Sequence, residues 1–132
     1  AMHHGFLQAF DQADSCFISA YREEGNAHSV RAHIEYLASP DLNGRTVILV
    51  DPMLATGSSL TGGYGAMRRR GEPGDIHIAS LVAAPEGIAL VKEEIPSINT
   101  LWVASVDDGL DENAYIVPGL GDAGDLAFGE KL

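Results

Sequence analysis

Residues Thr46–Ser59, T-V-I-L-V-D-P-M-L-A-T-G-S-S, hold the groups best suited to chemistry. Four apolar residues, Val47–Val50, predict a buried strand, and the carboxylate of Asp51 stands at its carboxyl end. Thr56-Gly57-Ser58-Ser59 then brings hydroxyls and backbone N–H groups to the place where a helix should begin. In an open α/β sheet, ligands bind beyond the carboxyl ends of the strands, and a helix N-terminus attracts phosphate. An acid beside a phosphate cradle suits a ligand carrying both ribose hydroxyls and a phosphate. An apolar strand followed by a glycine turn is also common in α/β proteins of every function.

A second candidate is Tyr115–Asp125, Y-I-V-P-G-L-G-D-A-G-D. Its three glycines and one proline predict a rigid loop rather than a regular element, with N–H and C=O groups turned inward. Such a loop can read the polar edge of a flat base. Uracil offers O4, N3–H and O2, an acceptor–donor–acceptor edge that backbone groups can match. A Gly-rich loop with two acids is equally a common turn or cation loop.

The elements that must position these groups follow from periodicity. Gly5–Asp11 reads as a short amphipathic helix, Cys16–Tyr21 as a strand, Tyr21–Ser29 as a polar mobile loop, and Arg31–Ala38 as a half-exposed strand. Ser39–Gly44 is a turn. A helix is expected over 57–70, where Gly62, Gly63 and Gly65 weaken it by about 1 kcal/mol each against Ala but allow close packing on the sheet. Asp75–Ala83 and Asn99–Val106 read as strands, and Pro85–Ile95 opens with Pro and Glu as helix N-termini do. After Asp107 the chain reads as loop, with one short extended piece at Tyr115–Val117. Strands alternating with helices predict an α/β fold, a mainly parallel sheet flanked by helices. One domain over residues 1–132 is expected from length.

Composition narrows the function classes. A net charge of −11 argues against binding nucleic acid or anionic membranes without specificity. It also obliges a phosphate site to draw on metal, helix N-termini and backbone N–H groups, since only 8 Lys and Arg are present and Arg68-Arg69-Arg70 takes three. No apolar run approaches the roughly 20 residues that cross a bilayer, and no signal peptide is evident. The single cysteine, Cys16, excludes an internal disulfide and reads as a buried small hydrophobe, which fits a cytoplasmic compartment. His3-His4 are adjacent and do not share a helix face. His28, His33 and His77 have no ligand spacing, so no protein metal site is expected.

D-P-M-L-A-T-G resembles the phosphoribosyl-pyrophosphate (PRPP) motif of type I phosphoribosyltransferases, and the proline after the acid resembles the form found in uracil phosphoribosyltransferases. Y-I-V-P-G-L-G-D-A-G-D followed by F-G resembles that family's uracil-binding stretch; Leu81–Gly87 and Asp107–Leu110 match further family segments in the same order. The resemblance implies a type I phosphoribosyltransferase (Rossmann-like) core. It implies that Asp51, Pro52, Met53, Leu54, Ala55, Thr56, Gly57, Ser58 and Ser59 hold the ribose 5-phosphate of PRPP, with Asp51 near the ribose hydroxyls. It places uracil on Ile116, Gly121, Asp122 and Ala123, with Asp122 also meeting PRPP or its metal. Arg22, in Y-R-E-E, resembles the mobile-loop arginine that reaches the pyrophosphate. Asp51, Asp122 and Arg22 are thereby the implied catalytic residues. The family further implies Mg²⁺ carried mainly by PRPP, GTP binding, and a homo-oligomer of two or more copies.

Three departures bear on these expectations. Ser58 stands where the family commonly has a second glycine, which narrows the allowed backbone. Leu126 stands where it usually has a basic residue. The start of the chain resembles the helix after the family's pyrophosphate loop, so an N-terminal strand and that loop are expected to be missing; that strand should neighbour Val47–Val50. The runner-up functions are a non-catalytic nucleotide-sensing module on the same fold, and an inactive fragment of it. A dinucleotide-binding domain ranks last, because no G-x-G-x-x-G follows the first strand.

Overall fold

The computed structural model describes residues 2–22 and 32–129. In chain order the elements are α1 (Met2–Ala9), β1 (Phe17–Arg22), β2 (Ala32–Ala38), β3 (Val47–Leu54), α2 (Ser58–Met67), β4 (Ile76–Ala83), α3 (Pro85–Glu94), β5 (Thr100–Val106), β6 (Gly109–Leu110), β7 (Ile116–Val117) and α4 (Ala123–Phe128). β3, β4 and β5 form a parallel sheet in that order, with α2 and α3 as crossovers. β1 and β2 form an antiparallel hairpin with an irregularity between Ser19 and Ala20, and β6 and β7 form a second, much shorter one. The expected α/β architecture is therefore present. No described helix is long and apolar enough to cross a membrane.

Alternation along the strands sets the core. Ile76 and Ile78 of β4 are buried, with Val47 and Leu49 of β3 and Leu101 and Val103 of β5 packed beside them. α2 contributes Leu60, Tyr64 and Met67 to this cluster, and α3 contributes Val91. Val91, Met67 and Ile78 are among the largest fully buried side chains, so the two crossover helices are held by burial rather than by propensity. Residues of opposite parity, including Ile48, Ala79 and Trp102, face the other side, where Phe6 and Phe10 approach them across an apolar cleft of about 450 Å³. Trp102 stays 66% exposed on that face.

Several boundaries differ from the sequence reading for physical reasons. β3 runs on through Pro52 to Leu54, past the expected stop at Val50. β3 is an edge strand among the described residues, which is where a proline's missing N–H is tolerated, and its register with β4 passes from Asp51↔Ser80 to Met53↔Val82. β1 includes Tyr21 and Arg22, assigned to a loop above; the rest of that loop, 23–29, lies outside the described residues. α2 stops at Met67, and Arg68–Arg70 form a 3₁₀ turn ahead of Gly71. Gly63 of α2 meets Ile18 of the β1–β2 hairpin rather than the parallel sheet, and Gly65 meets nothing within 4 Å. Cys16 is half-buried, not buried, because β1 begins one residue later at the molecule's margin. After Asp107 the expected short extended piece is present as β7, and the segment is otherwise more regular than expected, as β6 and α4 show.

Candidate active site

The phosphate-type turn is built at the carboxyl end of β3. Leu54 is fully buried, and its carbonyl accepts the Ala84 N–H at 2.9 Å, tying the ends of β3 and β4 together. Asp51 is half-buried, with Oδ1 accepting the Met53 N–H at 3.0 Å. Thr56 Oγ1 accepts the Ser58 N–H at 3.4 Å and donates to Ser58 Oγ at 3.2 Å. Gly57 precedes α2 with φ 83° and ψ −11° and gives the helix no side-chain cap. The left-handed conformation thus falls on glycine, while Ser58 is the first helical residue. Serine at that position costs no backbone strain, contrary to the concern raised by its sequence. The N–H groups of the first turn of α2 have no acceptor within the helix, and an anion beyond Ser58 and Ser59 can take them.

The turn is pressed against α3. A Cβ on Gly87 would lie 2.3 Å from the carbonyl oxygen of Ala55 and 2.9 Å from that of Leu54. One on Gly57 would lie 3.0 Å from the carbonyl oxygen of Gly87. Only glycine at 87 lets the start of α3 approach the turn this closely.

The base-type loop starts beside the same strand ends. Ile116 is 3% exposed and shares a buried cluster with Ala55 and Ala84, against which Met53, Val82 and Leu110 pack. Ala55 is the residue immediately before Thr56, so the start of the glycine loop and the start of the phosphate turn are supported by one apolar cluster. Asp108 N–H donates to the Val117 carbonyl at 2.9 Å, and Glu86 Oε1 accepts the Leu110 N–H at 3.3 Å. The Val117–Pro118 peptide is cis. Asp107 accepts the Gly119 N–H on Oδ2 at 2.8 Å and the Ser105 hydroxyl on Oδ1 at 3.0 Å. Beyond its short extended start the loop reads as irregular from its glycines, but Asp122 turns it into α4: its Oδ1 accepts the N–H groups of Gly124 at 2.7 Å and Asp125 at 3.0 Å. This is an Asp N-cap followed by a helical turn, a signal present in D-A-G-D and overlooked behind the glycines.

The other sequence candidates are distributed unevenly. Gly121 and Ala123 flank that cap, with Gly121 at φ 81° and open space around it. Arg22 ends β1, and its side chain lies outside the described part of the molecule. Arg68–Arg70 are at the far end of α2, whose 10 residues span about 15 Å. Arg45, paired with Asp14, precedes β3, and Lys92 stands in the last turn of α3. Every lysine or arginine side chain among the described residues therefore belongs to the amino end of the sheet. Glu72 engages Arg68 at 2.5 Å, and its hydrogen bond and charge raise the guanidinium pKa further. Positive potential at the turn comes from the helix N-terminus and N–H groups, not from nearby cations. Two described histidines are engaged elsewhere, His3 with Ser15 at 2.7 Å and His77 with Thr100. No group of three or more His, Cys, Asp or Glu that could hold a metal converges among the described residues.

A carboxylate near the carboxyl end of β3, a left-handed glycine opening a helix, and the start of a glycine loop thus lie at one end of the sheet around the same apolar cluster. A family model for uracil phosphoribosyltransferase matches residues 1–130. The chain belongs to the uracil phosphoribosyltransferase family. It is 49% identical over 130 residues to the uracil phosphoribosyltransferase of Porphyromonas gingivalis, covering 98% of this chain and 60% of that protein. Against the protein of the same name from Ralstonia pickettii it is 45% identical over 132 residues, covering 98% and 58%. A solved protein of Aquifex aeolicus superposes with a TM-score of 0.86 at 33% identity, covering 97% of this chain and 59% of that one. The chain thus spans 58–60% of the length of these curated uracil phosphoribosyltransferases.

Three residues with structural work at this end were assigned no role from sequence: Gly87, Glu86 and Asp107. All three lie in segments that resemble the family. For Asp107 a physical signal existed, since it follows the apolar strand 100–106 as Asp51 follows Val47–Val50.

Proposed function

We propose that this chain serves the transfer of a phosphoribosyl group from PRPP to uracil, yielding UMP and pyrophosphate in pyrimidine salvage. The observation that carries this reading is the shared cluster of Ala55 and Ile116, which brings the two half-sites to one end of the sheet. In the proposed complex, the N–H groups and hydroxyls of Thr56–Ser59 take the 5-phosphate. Asp51, with Pro52–Ala55 behind it, faces the ribose hydroxyls. The backbone of Ile116 and of Gly121–Ala123 holds the polar edge of uracil, and Asp122 lies between base and PRPP. Arg22 reaches the pyrophosphate.

In the reaction, the C1–O bond to pyrophosphate breaks with its electron pair leaving on oxygen, and the bond from uracil N1 to C1 forms. The N1 proton passes to solvent. Positive charge develops on the ribose as in other glycosyl transfers, so alignment and charge stabilisation are the protein's main contributions. Mg²⁺ neutralises pyrophosphate charge when bound. A hard cation of this kind would take oxygen ligands, which suits an end of the sheet where acids such as Asp51 and Asp122 are present and no described lysine or arginine is. A homo-oligomer and GTP binding belong to the same proposal through family membership alone.

Calorimetry with PRPP and Mg²⁺, followed by uracil, tests it. The expected result is uptake of PRPP with Mg²⁺ and then of uracil on the loaded protein. Failure to bind either would refute the assignment. A non-catalytic nucleotide-binding module is the second reading, favoured by the lack of described cations at the ligand end. UMP formation from uracil and PRPP excludes it.

A further inference from the structure

We infer that Asp107 is a positioning residue that sets the base-reading loop at its working distance from the phosphate turn. This rests on the proposed reading that the 116–123 loop receives a pyrimidine. Asp107 follows β5, and its own N–H donates to the Ala83 carbonyl at 2.9 Å, which anchors it to the end of the central strand β4. Its carboxylate is half-buried and turned into the protein. One oxygen takes the Ser105 hydroxyl and the other takes the Gly119 N–H.

Gly119 is where the loop doubles back on itself. Its φ is 55°, and a Cβ there would lie 2.1 Å from the carbonyl oxygen of Ile116. Fixing the Gly119 N–H therefore fixes the peptide plane packed against the Ile116 carbonyl, the backbone proposed to meet the base. Asp108 holds the preceding segment through its N–H to Val117. The two adjacent acids thus grip the loop at successive points, the first by its side chain and the second by its backbone. Loss of the Asp107 carboxylate releases the loop at Gly119, leaving the β6–β7 pairing, the Ile116 cluster and the Thr56–Ser59 turn in place.

The consequence is selective. Hydrogen bonds to a charged acceptor are among the stronger ones, so uracil affinity in Asp107→Ala should fall by about tenfold or more. PRPP affinity should stay within about twofold, because the Thr56–Ser59 turn does not depend on Gly119 and Asp122 is held separately by its own cap bonds to Gly124 and Asp125. Asp107→Asn supplies the decisive contrast. Its amide oxygen can still accept from Gly119 and its NH₂ can donate to Ser105 Oγ, so geometry survives without the charge. Asn should restore uracil affinity to near the unsubstituted value.

The test is calorimetry of the full chain with PRPP–Mg²⁺ and then uracil, together with amide hydrogen exchange at Gly119. Support consists of weakened uracil binding and lost Gly119 protection in the Ala variant, both recovered in the Asn variant, with PRPP binding unchanged. Equal uracil affinity in the Ala variant, parallel loss of PRPP binding, or an Asn variant as weak as Ala would overturn the inference. If the unsubstituted chain takes up no uracil, the functional reading fails, and exchange at Gly119 alone decides whether the clamp exists. If Asp107→Ala does not fold, Asp107→Ser, whose hydroxyl is too short to reach Gly119, gives the same readouts.

Discussion

Gly87→Ala is the sharpest probe of how the phosphate turn is held. Gly87 lies in the first turn of α3 and is buried. On propensity alone, alanine there would stabilise the helix by about 0.5–1 kcal/mol. The structure reverses that sign. The added methyl would sit 2.3 Å from the Ala55 oxygen, 2.9 Å from the Leu54 oxygen and 3.1 Å from the Ala55 carbonyl carbon. All three are backbone atoms, and the Leu54 oxygen already accepts the Ala84 N–H. Relief to an ordinary contact of about 3.4 Å requires α3 and the turn to separate by roughly 1 Å. Overpacking of this kind costs about 1–3 kcal/mol, and with backbone atoms on both sides unable to give way the upper part of that range applies, so the net change is a destabilisation of about 1–2.5 kcal/mol. Since Ala55 leads directly into Thr56–Ser59, PRPP affinity should drop about tenfold as well. Urea unfolding and calorimetry with PRPP–Mg²⁺ read the two effects. Gly65→Ala is the control: it lies in α2 with no atom within 4 Å of its would-be Cβ, and it should gain up to about 1 kcal/mol with PRPP binding unchanged. A Gly87→Ala protein as stable as the unsubstituted chain, with the same PRPP affinity, would refute the reasoning.

Other outcomes follow from the same geometry. Asp122→Asn should keep α4, because Asn caps helices as well as Asp does, yet lower UMP formation by about 100-fold; circular dichroism checks the first and a uracil-dependent assay the second. Leu126→Lys returns a cation to the ligand end, where Leu126 is 72% exposed. PRPP affinity should rise about twofold at low salt and return to baseline near 1 M salt, as screening requires. Chelation of Mg²⁺ should weaken PRPP binding by about tenfold or more, since the described lysines and arginines stand at the opposite end of the sheet; titration of PRPP with and without EDTA measures it.

The parallel strands and crossover helices were legible because their apolar residues recur at the strand or helix period. Val47–Val50, Ile76–Ala83 and Leu101–Val103 each read as buried strand, and burial is what holds them in the sheet. The T-G-S-S turn ahead of a helix was legible because helix starts have local sequence signs, whereas Asp51, expected to end its strand, lies inside β3, which pairs on to Leu54. Less visible were β6 and α4. Their stability comes from single long-range bonds, such as Glu86 to Leu110, and from one N-cap at Asp122. No periodicity reports contacts of that kind.

By itself the sequence determined the α/β class, the place of Asp51 directly after an apolar run and the makeup of both loops, because each depends on residues adjacent along the chain; that the strand continues past Asp51 to Leu54 came from pairing with β4. The tertiary structure alone decided that Ala55 and Ile116 share one buried cluster with Ala84, that Gly87 must lack a side chain, and that Asp107 grips Gly119. These are packing relations between segments brought together by the sheet, and close packing is set by shape in three dimensions rather than by order in one.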